Sequence, residues 1–174
     1  FSELDATQLE DELESGNPRF FLAYYNVSNE LWDWAKDSYG DGVSVPYQVV
    51  VETSTNSAYV VGYNTGSEEW AGTFQSNPQS TYAGFLVKYS DNGSFLWGQN
   101  TGGSQCFGAN CGVYFNNVVM HPDGGVVVGG NFLMTYKKQS GAPVGGQGSW
   151  DVLLLRYDAT GTQIWDYQIG RAHV

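Results

Sequence analysis

Two cysteines, Cys106 and Cys111, stand close together in GGSQCFGANCGVYF. Thiols so placed could hold a metal, work as a redox pair or close a small loop. A metal site needs more ligands, and only His121 and His173 could add imidazole. A redox dithiol ordinarily reads Cys-x-x-Cys. A disulfide loop is the reading we adopt, with two free thiols as the alternative. A disulfide implies an oxidising, extracellular-type compartment.

Asn26-Val27-Ser28 and Asn92-Gly93-Ser94 are N-glycosylation sequons. The alternative is that each Asn merely favours turn geometry. The carboxylates are less suggestive. Glu68 and Glu69 are adjacent, so on a strand they point apart. Glycoside hydrolysis needs two carboxylates at a set separation across a cleft. Asp37 and Asp41, in DSYGDG, are weak Ca²⁺ candidates, because the spacing lacks the ligand density of an EF-hand loop. No Ser-His-Asp order or phosphate-cradling glycine loop stands out. We therefore expect no catalytic constellation, no bound metal and no cofactor.

Composition narrows the partners. Of 174 residues, 18 are acidic and 7 basic, a formal net charge of −11. Nucleic-acid binding needs basic surface to neutralise phosphates, and so does an anionic membrane. No apolar run approaches the ~20 residues of a membrane helix. The chain is 41% hydrophobic and 16% aromatic, too rich for disorder. With 23 glycines and only 14% charged residues, it suits a β-protein with many tight turns.

Elements that could position these residues appear three times. DVLLLRYDATGTQIWDYQIG, Asp151 to Gly170, reads as a β-hairpin: an apolar run, an Asp-Ala-Thr-Gly turn, then a return through Trp165. AGFLVKYSDNGSFLWGQNTGG, Ala83 to Gly103, and RFFLAYYNVSNELWDWAKDSYG, Arg19 to Gly40, repeat it. Trp32, Trp97 and Trp165 recur 65 and 68 residues apart. We expect them to pack between repeats rather than to serve as ligand platforms. Before the second and third copies come two further strand pairs. These are YQVVVETS with AYVVGYNTG, and YFNNVVMHPDGGVVVGGNF, in which Val118 to Met120 match Val49 to Val51.

The expected unit is thus strand, turn, strand, long loop, strand, turn, strand. That is a four-stranded antiparallel blade of a β-propeller. The expected division has five parts. Residues 1–18 are an acidic segment, a short helix or a linker. Residues 19–46 are an outer half-blade and loop. Residues 47–103 are a full blade, and 104–170 a full blade with the cysteine loop. Residues 171–174 are an artefact, because IGRAHV is also the translation of a common sequencing-adapter read-through. The chain begins without Met, as a processed chain or fragment would.

An apolar strand, Asp-x-x-Gly, three residues and Trp resembles the SBBP-type seven-bladed β-propeller repeat. The strand before it in that family is similar to AYVVGYNTG and GVVVGGNF. The resemblance covers Phe20 to Gly170. The third copy fits it well. The second has Ser90 in place of Asp, and the first replaces the turn with Asn26-Val-Ser-Asn. The resemblance implies an extracellular or cell-surface propeller used for interaction or structure, with no catalytic residues. Two and a half blades make an incomplete ring. The remaining blades or other copies of the chain are then its expected partners.

Propeller topology would put Ala35–Pro46, Ser67–Tyr82, Leu133–Ser149 and the cysteine loop on one face, with both sequons opposite. Long loops on a rigid scaffold are where binding is built. The expected contacts are the aromatics Trp70, Phe74, Tyr82 and Phe107, with Tyr136, Lys137 and Lys138. Loops packed on each other or on a neighbouring subunit are the alternative. The functional expectation is an extracellular structural or adhesive module acting through proteins or repetitive assembly. A carbohydrate-binding module using loop aromatics is the alternative, and a propeller glycosidase fragment the second.

Overall fold

A computed structural model describes residues 18–76, 82–102 and 112–170. Twelve strands are formed there, and no helix occurs among the described residues. They are β1 (Phe21–Asn26), β2 (Leu31–Gly40), β3 (Val43–Glu52), β4 (Ser57–Thr65), β5 (Glu68–Trp70) and β6 (Phe74–Ser76). Then follow β7 (Ala83–Tyr89), β8 (Phe95–Gly102), β9 (Gly112–Met120), β10 (Val126–Lys137), β11 (Pro143–Tyr157) and β12 (Gln163–Ile169). They make three four-stranded antiparallel sheets. Sheet 1 has the order β1-β2-β5-β6, sheet 2 β3-β4-β7-β8 and sheet 3 β9-β10-β11-β12. The acidic segment at residues 1–17, Cys106, Phe107, Cys111 and residues 171–174 lie outside the described residues.

The strand pairs expected from sequence form, and sheets 2 and 3 are the two expected four-strand units. The three expected long loops are corrected. Ala35–Pro46 is not a loop. β2 runs through to Gly40 and β3 starts at Val43, so only Asp41 and Gly42 connect them. Ser67–Tyr82 contains the β5–β6 hairpin, which pairs with β2 through Ser38↔Trp70 and Gly40↔Glu68. Sheet 1 is therefore four-stranded, and a hairpin inserted within sheet 2's sequence supplies half of it. Most of Leu133–Ser149 is strand as well. β10 and β11 extend to Lys137 and from Pro143, with a tight turn between them.

Sheets 1 and 2 share one bent ribbon. β3 pairs with β4 from Glu52↔Ser57 to Val43↔Thr65, and β2 with β5 just beyond. Both chains step from one sheet to the other at the same corner. There Ser67 donates its N–H to Asp41 Oδ1 at 2.8 Å, and Asp41 N–H to the Ser67 carbonyl at 3.2 Å. Corner geometry explains Asp41. Asp37 sits on β2, and no group of three or more potential metal-binding side chains occurs among the described residues.

Sheet 2 lies between the other two. β7 is buried along its whole length. Phe85, Val87 and Tyr89 pack toward Phe20 and Trp70 of the first region, with Leu22, Trp34, Phe74 and Phe95 around them. Tyr59, Val61 and Leu86 pack toward sheet 3, against Val118, Val126, Val128, Leu153 and Leu155. Burial on both faces is why AGFLVKY reads as a continuous rather than alternating run.

Candidate functional site

The sheets are joined by a repeated device at the β7–β8 and β11–β12 turns. In Ser90-Asp91-Asn92-Gly93-Ser94, Gly93 N–H bonds the Ser90 carbonyl at 3.1 Å, and Ser94 N–H bonds Ser90 Oγ at 3.0 Å. In Asp158-Ala159-Thr160-Gly161-Thr162, Gly161 N–H bonds the Asp158 carbonyl at 3.1 Å. Thr160 and Thr162 N–H groups bond Asp158 Oδ1, each at 2.9 Å. The Thr160 hydroxyl bond first, and then those backbone bonds, hold the Asp158 carboxyl below its usual range. Gly93 and Gly161 have φ of 77° and 86°, which a side chain resists.

Each turn seats on a tryptophan of the preceding sheet. Trp34 Nε1 donates to the Asp91 carbonyl at 2.7 Å, and Trp97 Nε1 to the Ala159 carbonyl at 3.1 Å. A Cβ on Gly93 would stand 2.8 Å from Trp34 Cδ2, and one on Gly161 2.7 Å from Trp97 Cδ2. Glycine is thus required twice over, by the backbone and by the indole beneath it. Gln99 Nε2 adds a bond to the Gly161 carbonyl at 2.9 Å. The equivalent of Trp97 in sheet 1 is therefore Trp34 and not Trp32, a correction to the sequence period. The register shift at Tyr24/Tyr25 places Trp34 as the shift at Lys88/Tyr89 places Trp97.

The third repeat carries the same socket with no described turn upon it. Trp165 pairs across β12 with Arg156, as Trp97 pairs with Lys88. Tyr167 and Ile169 continue that face, 63% and 57% exposed. Their register equivalents in sheet 2 lie in the joint with sheet 3. Beside Trp165 is a cleft of about 430 Å³ lined by Lys138, Gln139, Ser140, Gln163, Ile164 and Asp166. Lys138 pairs with Asp166 at 3.0 Å. Tyr136 donates to the other Asp166 oxygen at 2.5 Å, and burial first, then that bond, pushes its phenol well above the usual range.

The expected contact residues separate. Trp70 and Tyr136 are fully buried and Phe74 packs against the core, so these three are structural. Their segments are strands, and strand alternation turns them inward. Lys138 reaches the cleft and Lys137 is exposed at the end of β10. Tyr82 joins an aromatic group with Tyr63 and Tyr114, neither of which sequence singled out. Asn26 and Asn92 do lie at hairpin turns. Asn26 Nδ2 bonds Asp33 Oδ2 at 3.1 Å, and Asn92 Oδ1 accepts from Ser90 Oγ at 2.6 Å. Glu68 is buried among hydroxyls, Ser44 Oγ donating to it at 3.2 Å, which removes it from any open carboxylate pair. No protein-family model matches the chain, and a search of curated proteins finds no match.

Proposed function

We propose that the chain is a run of β-propeller blades from an extracellular structural protein that works through protein–protein interaction. The observation carrying this reading is the tryptophan–turn joint, made twice in the same way and offered a third time by Trp165. Sheets that repeat one heterologous contact stack like repeat proteins, each burying its neighbour's face. The fitting occupant is a further four-stranded sheet with a Ser/Asp-x-x-Gly turn. The chain's own first turn, Asn26 to Glu30, has no glycine there, which disfavours its sheet 1 as the occupant. Sequons at two hairpin turns support an extracellular setting.

The test is a tandem protein in which residues 103–170 are repeated directly after Gly170. Trp165 should become shielded, its fluorescence shifting to the blue, and the melting temperature should rise with one cooperative transition. Gly161→Val in the added copy should abolish both changes. An added unit that melts separately and leaves the Trp165 emission unshifted overturns the reading.

A further inference from the structure

A second feature stands apart from the joints and does not depend on the propeller reading. Tyr47, Tyr63, Tyr114 and Trp150 form a chain of ring contacts, with centroids 5.6, 4.8 and 5.4 Å apart in that order. Tyr82 touches the two central rings at 5.5 and 5.0 Å. The five come from β3, β4, β9, β11 and the segment just before β7, so folding alone brings them together. The ends of the chain are open, with Tyr47 50% and Trp150 45% exposed. Tyr47 is the residue skipped in the β3–β4 register, between Pro46↔Gly62 and Gln48↔Val61. A bulge of this kind re-aims a side chain.

Burial pushes the Tyr114 hydroxyl well up from the usual phenol range, and the neighbouring Tyr82, Tyr63 and Tyr47 push it the same way. Burial and then Tyr63 likewise raise Tyr47. Beside the rings is an exposed amide pair, Asn116 Nδ2 donating to Asn131 Oδ1 at 2.8 Å, and Asn131 is the cross-strand partner of Tyr114.

We propose that this aromatic row is a binding site for an uncharged, extended polysaccharide. Flat rings offer apolar faces to the C–H faces of pyranoses, and phenol and amide groups offer hydrogen bonds to the hydroxyls. Successive rings are tilted by 46°, 59° and 59°, so they present separate facets along the row. An acidic polymer meets a strongly acidic protein, with a formal net charge of −11.

The experiment is electrophoresis of the whole protein through native gels containing hydroxyethyl cellulose, galactomannan or soluble starch, with polygalacturonate as the acidic control. At least one neutral polymer should retard the protein, and polygalacturonate should not. Tyr47→Ala and Trp150→Ala, both at exposed positions, should each weaken retardation about tenfold while the melting temperature stays near that of the parent. Migration unchanged by all three neutral polymers overturns the proposal. So does retardation that survives both substitutions, or equal retardation by polygalacturonate.

Discussion

Glu68 shows how one residue can hide an element. It is almost wholly buried, with Ser38 and Ser44 beside it and their hydroxyl oxygens 2.5 Å apart. Burial is the largest influence and pushes its carboxyl above the usual glutamate range. Bonds from Ser38 and Ser44, the Arg19 charge and the Gly42 backbone only partly oppose it. The fold therefore favours the protonated acid. That contribution is fully present below the unfolded pKa and is lost as pH rises through the raised folded pKa. Glu68→Gln mimics the protonated side chain at every pH. The variant should match the parent in acid and exceed it in stability at alkaline pH, read from thermal melts across that range. A variant that loses stability equally at every pH would mean that the ionised carboxylate is the stabilising form. Glu52 behaves oppositely. Burial raises it, but bonds from Thr55 and Lys88 and the Lys88 charge outweigh burial and hold it low. With Lys88 at 3.1 Å, its stabilisation is lost as pH falls through the depressed value.

At the scale of elements, periodicity revealed strands wherever apolar residues announced them and missed those built on polar or glycine-rich sequence. Val49 to Val51, Val126 to Val128 and Leu153 to Leu155 could be placed from sequence because β-branched and aliphatic runs have few other uses. β5 could not, because Glu68 reads as solvent-facing and its hydroxyl partners lie on β2 and β3. The outer half of β11 begins PVGGQGSW, where glycines suggest a loop but the ladder to β10 continues past a register shift at Leu133/Thr135. The turns were legible in kind, but their seats were not. Nothing local in NVSNELWDW says that Trp34 rather than Trp32 receives the next turn. That depends on a bulge and on a neighbour 57 residues away.

The joint itself makes a prediction at this scale. Gly161→Ala forces a side chain into positive φ, costing about 1 kcal/mol, and drives Cβ against the Trp97 indole, costing about 1–3 kcal/mol more. Trp97→Phe keeps a ring but removes the bond to the Ala159 carbonyl, a loss of about 1 kcal/mol. Because both act on one contact, the double variant should be less destabilised than the two singles together, as denaturant titration would reveal. Strict additivity would mean that the indole and the turn do not support each other.

For the whole molecule, the governing fact is that the two central strands of sheet 2 are buried between neighbours, while among the described residues the two outer sheets each leave a row of large apolar side chains exposed. β4 and β7 carry the residues that face sheet 1, among them Val60, Phe85, Val87 and Tyr89, and those that face sheet 3, among them Tyr59, Val61 and Leu86. Sheet 1 leaves Phe21, Tyr25 and Trp32 substantially exposed, and sheet 3 leaves Val152, Tyr167 and Ile169 so. A stack with nearest-neighbour contacts opens from its ends, because an end sheet surrenders one joint and the middle sheet must surrender two. Native-state hydrogen exchange followed by mass spectrometry should therefore give the slowest amides in β4 and β7. The fastest strand amides should lie in β1, β6 and β12, the edge strands of the outer sheets other than β9, which packs against β3, β4 and β7 of sheet 2. The long pairing of β10 with β11 works against this gradient in sheet 3, so sheet 1, with its three-residue β5 and β6, should open first of all. Uniform exchange across the three sheets would instead describe one indivisible cooperative unit. The joints would then be no weaker than the ladders within each sheet.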